Sequence, residues 1–234
     1  MKVIIIKSGC THASIKHKYG DFDDLIKKQL PDRALTTESI TIQHQPPLPK
    51  PKSVGAVIIT GSHADVTDNA AWMIYLMHWI RQIFNKNIPL LGICFGHQII
   101  AEALGGQVGD NPKGGEFGLI EVHRNKDLPE TPLFFQAPFI YTYASHNQTV
   151  LKLPPGAKSL AYSNKDNNHL VSYGSNCWGV QFHPEFNRNV AHEYWRRNGR
   201  IGTCGNPEQN ELAKNAGKYL FSNFISLALQ KSNG

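Results

Sequence analysis

The stretch Leu90-Leu91-Gly92-Ile93-Cys94-Phe95-Gly96-His97-Gln98 sets a cysteine between two glycines, one two residues before it and one two residues after. An apolar run precedes it and a helix-forming run follows. That is the pattern of a nucleophile elbow, in which glycines relieve crowding around a sharp strand-to-helix turn and the thiol is pushed outward toward a substrate. The helix start brings a positive dipole end and unpaired N–H groups, which stabilise negative charge on sulfur. The N–H of Phe95 is placed to bond a developing oxyanion. Free cysteines are ordinarily small buried hydrophobes, and Cys10, Cys177 and Cys204 are read that way.

A thiol nucleophile needs a base, and Trp178-Gly179-Val180-Gln181-Phe182-His183-Pro184-Glu185 offers one. Pro184 biases His183 toward extended backbone, where side chains two residues apart share a side, so His183 and Glu185 are expected to face the same way. A carboxylate beside an imidazole holds its tautomer and stabilises its charged form. His97, just past the elbow, is read as a packed or hydrogen-bonded histidine, since one base suffices. Trp72, Trp79, Trp178 and Trp195 are read as core or surface anchors.

These groups need a frame. Val3–Ile6, Val54–Thr60 and Ile88–Ile93 are short apolar, largely β-branched runs that predict buried strands. An amphipathic stretch over roughly His12 to Leu30 and helices over Ala71–Phe84 and Phe95–Leu104 alternate with them, which favours a mostly parallel sheet covered on both faces. The second half differs. Leu119–Val122, Phe139–Tyr143, Ser159–Tyr162, Leu170–Tyr173 and Trp178–Phe182 are short strand-like pieces between Gly, Pro and Asn, so antiparallel strands are expected to join the sheet. Helices near Asn189–Asn198 and Glu208–Leu229 close the chain, and the proline-rich Gln43–Lys52 reads as an extended surface loop. No linker divides residues 1–234, so one domain is expected.

Charged residues are 18% of the 234, hydrophobic residues 41%, and the net charge is +6. The basic residues do not gather into a patch; Lys16–Lys18, Lys50–Lys52 and Arg196–Arg200 are short and stand in no nucleic-acid motif, so neither a nucleic-acid partner nor a membrane is expected. The cysteines lack C-x-x-C spacing, and no metal or cofactor is expected. The N-terminal MKVIIIKSG is too short in apolar residues for a signal-peptide core, which makes a reduced cytoplasmic compartment the expectation.

GICFGHQ, followed about ninety residues later by WGVQFHPEF, resembles the paired catalytic motifs of class I glutamine amidotransferases. The intervening SHNQTVLKLPPGAKSLAYS resembles the branch typified by the glutaminase domain of GMP synthase. The resemblance implies a three-layer, flavodoxin-like α/β fold. It implies that Cys94 attacks the glutamine carboxamide to form a γ-glutamyl thioester, with His183 as base and Glu185 orienting it. The family's oxyanion turn, usually Gly-Gly-Pro, corresponds to Gly61-Ser62-His63, with the N–H groups of Ser62 and Phe95 as the pair. His63 in place of proline implies a less constrained turn. Gln98, His146 and Asn147 match positions near the substrate, although Asn147-Gln148 stands where an acidic residue is common. No glycine-rich ATP-pyrophosphatase motif occurs in the sequence, so the resemblance implies ammonia passed to a separate synthetase, or else a free-standing γ-glutamyl hydrolase or peptidase. A regulatory module without catalysis would be expected to lack a member of the triad.

Overall fold

In the computed structural model the described residues are 1–31, 35–126, 131, 133, 137–174 and 176–232. The first half runs β1 (Lys2–Lys7), α1 (Ala13–Tyr19), α2 (Phe22–Lys27), β2 (Thr36–Thr41), β3 (Ala56–Ile59), α3 (Ala71–Asn85), β4 (Leu90–Ile93) and α4 (Phe95–Ala103). Then follow β5 (Gln107–Asp110), β6 (Glu116–Arg124), β7 (Phe139–His146), β8 (Gln148–Lys152), β9 (Lys158–Tyr162), β10 (Leu170–Gly174) and β11 (Cys177–Val180). Helices α5 (Arg188–Arg197) and α6 (Pro207–Ser232) complete the described chain.

Nine strands form one sheet in the order β2-β1-β3-β4-β11-β10-β9-β6-β7, and β5 pairs with β8 in a separate ribbon. From β2 to β11 every neighbouring pair is parallel, and from β11 to β7 every pair is antiparallel. The expected three-layer α/β fold is therefore present. Along β1, Val3 and Ile5 enter one core with residues of α2 and α6, while Ile4 and Ile6 enter the opposite core with α3 and α4. Burial on both faces explains why β1, β3 and β4 read as unbroken apolar runs rather than alternating ones.

Three differences from the sequence reading have local causes. The stretch His12–Leu30 is two helices, because Gly20 sits at φ +98 and Asp21 caps α2. The polar β2 and the ribbon β5–β8 carry no apolar periodicity, and the prolines of Gln43–Lys52 end in short 3₁₀ turns at Ile42–His44 and Pro51–Ser53. Cys177 is buried, but Cys10 is exposed and Cys204 half-buried, so the small-hydrophobe reading fails for Cys10.

Asp21 also anchors the loop after β1. Its carboxylate accepts from the N–H of Thr11 (2.8 Å), the N–H of Phe22 (3.0 Å) and Lys7 Nζ (3.0 Å). Burial opposes ionisation here, but those donors outweigh it and hold the carboxyl at about 2. A carboxyl lowered from an unfolded value of about 3.9 adds stability above that pH, and loses it as pH falls through about 2. Asp21→Asn is therefore expected to lose about 2 kcal/mol at pH 7. Urea denaturation at pH 7 and pH 2.5 checks it, since the gap between variant and wild type should shrink at the lower pH.

Candidate active site

Cys94 follows β4 and caps α4 at φ 50, ψ −105, a backbone conformation that L-residues rarely adopt. Its N–H is held by the Val180 carbonyl of the neighbouring β11 at 2.7 Å, and its own carbonyl accepts from the N–H of Gln98 at 3.1 Å. The two glycines of the elbow allow backbone to touch backbone. A methyl group at Gly92 would lie 2.3 Å from the Gly96 carbonyl oxygen, and one at Gly96 would lie 2.3 Å from the carbonyl oxygen of Ile59 in β3. The thiol is less exposed than the sequence suggests: Cys94 is only 6% accessible and lies on the floor of a pocket of about 240 Å³.

His183 follows β11, with its N–H on the Tyr143 carbonyl at 2.8 Å. Its Nδ1 meets Glu185 Oε1 at 2.8 Å, as the two-residue spacing predicts, although Pro184 and Glu185 lie in a turn rather than a strand. The ring is stacked on Phe186 at a centroid distance of 4.2 Å. Burial disfavours its charged form, but the Glu185 carboxylate and the Cys94 sulfur more than compensate and raise its pKa to about 10. Nε2 is buried without a hydrogen-bond partner. Gly61 is where nucleophile and base converge, since a methyl group there would lie 3.1 Å from His183 Cε1 and 3.8 Å from Cys94 Cβ.

The turn after β3 is tied down by side chains. Thr60 Oγ1 accepts from the N–H of Ser8 and donates to the Gly61 carbonyl, and Ser62 Oγ donates to the Ser8 carbonyl at 2.9 Å. His63 stacks on Tyr194 at 5.2 Å and meets His12 edge-on at 4.7 Å. A turn expected to be less constrained without proline is thus restrained by hydroxyls and rings. Partial desolvation by these neighbours, with the charges of His12 and His183, lowers the His63 pKa. The N–H of Phe95 heads α4 and has no intrahelical acceptor.

The residues expected near the substrate separate into two kinds. Gln98 is buried; its Nε2 donates to the Gln148 carbonyl (2.8 Å) and to Gln181 Oε1 (3.0 Å), while Gln181 Nε2 points at Cys94 Sγ from 3.6 Å. Asn147 is exposed at the pocket rim, where its Oδ1 accepts from Arg200. His146 lines the wall, but both ring nitrogens are engaged, Nδ1 with the Gln148 carbonyl (2.9 Å) and Nε2 with Glu116 Oε2 (3.2 Å). It is therefore not available as a second base.

Glu116 also meets His169 Nε2 at 2.7 Å through the same oxygen, and its other oxygen accepts from Ser163. Burial works against ionisation of Glu116, yet the two imidazoles hold its carboxyl well below the usual range. Among the described residues Glu116, His146 and His169 could offer a metal three ligand atoms, all within 4.8 Å of one another. Their contacts to Glu116 have hydrogen-bond lengths, while the other ring nitrogen of His169, Nδ1, is buried without a hydrogen-bond partner among the described residues.

His97 is fully buried, with Nδ1 on Tyr173 Oη at 2.9 Å and burial pulling its pKa down to about 3, which matches the reading of a packed histidine. Sequence reasoning missed Gln181, Tyr194 and Arg200 in the site. Gln181 left one signal, a single amide in an apolar run two residues before His183.

The glutamine amidotransferase class-I family matches residues 16–201. A subunit of the glutamine-hydrolyzing GMP synthase of Sulfolobus acidocaldarius is 32% identical over 186 residues, 79% of this chain and 89% of that protein. Gamma-glutamyl peptidase 5 of Arabidopsis thaliana is 34% identical over 139 residues, 58% of this chain and 55% of that protein, so the chain spans about half the length of such relatives. A glutamine amidotransferase from Thermotoga maritima has the same fold, with a TM-score of 0.75 at 22% identity over 98% of both chains. Among the described residues no helix is long and apolar enough to cross a membrane.

Proposed function

The chain belongs to the class I glutamine amidotransferase family, and from that premise we propose that it hydrolyses the side-chain amide of glutamine through a thioester on Cys94. The observation that carries the reading is Cys94 at a strained strand-to-helix turn, with the His183 ring beside it and Glu185 on the far nitrogen of that ring.

The geometry supports the following roles. Sulfur attacks the carboxamide carbon, and the N–H groups of Ser62 and Phe95 take the charge that develops on oxygen. His183 Nε2 holds the thiol's proton and gives it to the departing amine, so ammonia leaves as the acyl–sulfur bond remains. It then takes a proton from water, whose oxygen releases glutamate and restores the thiol. Glu185 keeps the ring turned and charged. Gly61 leaves room for nucleophile and base to meet, and Gln98, His146 and Asn147 form the glutamyl side of the pocket.

Ammonia passes in this reading to a synthetase on a separate chain, a proposal supported by the similarity to the Sulfolobus GMP synthase subunit over most of that protein's length. The whole acts as one domain over residues 1–234. A second reading has a specific observation in its favour. The exposed His63 is stacked on Tyr194 at the mouth, where the rings could face a leaving group larger than ammonia, and gamma-glutamyl peptidases are among the relatives. Steady-state kinetics with glutamine and with γ-glutamyl dipeptides separate the two. The first reading expects slow glutaminase turnover by the chain alone and a kcat raised more than KM is lowered when a synthetase binds. Efficient turnover of a dipeptide by the chain alone would move the assignment to a peptidase. Failure of a glutamine-analogue alkylator to label Cys94 would point instead to a non-catalytic module.

A further inference from the structure

We propose that Arg200 is a specificity residue that binds the α-carboxylate of the glutamyl group; this rests on the reading that Cys94 takes a γ-glutamyl amide. Arg200 lies beyond α5 at the rim of the pocket that holds Cys94. Its backbone N–H is fixed on the Trp195 carbonyl at 2.8 Å, its guanidinium lies over the Phe117 ring at 4.8 Å, and Nη2 donates to Asn147 Oδ1 at 3.3 Å. Among the described residues it has no acidic partner, unlike Arg196 and Arg197, which are both paired with Glu193. A guanidinium has five N–H donors in a planar fork, and one of them is taken. The ring contact and the single amide bond therefore orient the fork and leave most of it unused.

Lengths decide which end of a substrate it meets. The Ser145 carbonyl lies 3.9 Å from Cys94 Sγ, and Asn147 is two residues further on. Two residues of extended chain cover about 7 Å. A glutamyl chain spans about 5 Å from its side-chain carbonyl carbon to its α-carboxylate carbon, four C–C bonds end to end. An acyl group on sulfur that runs beside Ser145-His146-Asn147 thus brings its carboxylate to the fork, which suits two-point binding of a carboxylate. The amine leaves on the other side, toward His183 and Tyr194.

The test measures ammonia release from three amides. Glutamine carries both α groups, glutaric acid monoamide keeps the carboxylate and lacks the amine, and 4-aminobutanamide keeps the amine and lacks the carboxylate. Arg200→Ala is expected to raise KM for the first two about 10- to 100-fold, the range of a charge-assisted hydrogen-bond pair, with kcat changed by less than about 3-fold. It should leave kcat/KM for 4-aminobutanamide where the wild type has it, and Arg200→Lys should recover part of the loss. An unchanged KM for glutamine, or an equal loss on 4-aminobutanamide, overturns the proposal. If the wild type releases ammonia from none of the three, the glutaminase reading fails. Labelling of Cys94 by the diazoketone analogue of glutamine then decides for Arg200: a raised half-saturating concentration in Arg200→Ala supports the proposal, and an unchanged one overturns it.

Discussion

Replacing Cys94 with alanine is expected to reduce release of glutamate from glutamine by at least about 10⁴-fold, the scale on which a nucleophile within a catalytic unit is lost. The protein should remain folded. Cys94 is a small residue at the junction of β4 and α4, and alanine removes one sulfur from it while keeping the N–H bond to Val180. The strain of φ 50 is already present and is shared by both residues. Glutamate assays beside thermal denaturation check this: near-wild-type turnover by a well-folded Cys94→Ala protein would remove the thioester from the mechanism.

The second large effect is electrostatic. Glu185→Gln keeps a hydrogen-bond acceptor 2.8 Å from His183 Nδ1 but removes the charge. The imidazole is buried, which favours its neutral form, and the Glu185 carboxylate is the leading influence in the other direction. Without it the pKa should fall from about 10, with only the Cys94 sulfur left to favour the charged form. The ring would then hold its proton, and the charge that goes with it, less firmly at pH 7. Activity should drop about 10²- to 10⁴-fold, less than in His183→Ala, because the orienting group costs less than the base. Proton NMR of labelled histidine across pH 5 to 10 reads the shift directly. A His183 signal that titrates alike in wild type and Glu185→Gln would mean that the ring's charge comes from elsewhere.

How far these residues could be read from the sequence depends on how local their cause is. Cys94 and its glycines, and His183 with Glu185, are each set by a few consecutive residues, and so were visible. Strands β1, β3 and β4 were visible because both of their faces are buried. The edge strand β2, Thr-Thr-Glu-Ser-Ile-Thr, is held chiefly by backbone pairing to β1 and has almost no buried side, so no apolar pattern marks it. Arg200 and Tyr194 reach the pocket from α5 and the loop after it, a placement that only tertiary packing decides. The restrained turn at His63 was illegible for the same reason. Its restraint comes from Ser8, His12 and Tyr194, which are distant in sequence.

The groups proposed to break the bond and the arginine proposed to hold the glutamyl carboxylate differ in what secures them. Gly61, Cys94 and His183 follow the ends of β3, β4 and β11, adjacent strands in the middle of the nine-stranded sheet. Such strands open only when the whole domain does, whereas exposed loops open locally at much lower free energy. Arg200 sits on a loop of that second kind, held to Asn147 and Phe117 by surface contacts. On warming, or in mild denaturant, the rim loosens well before the floor. With Arg200 in the proposed role, its hold on the carboxylate is expected to weaken while the capacity for chemistry persists, so that KM rises at temperatures where kcat still climbs.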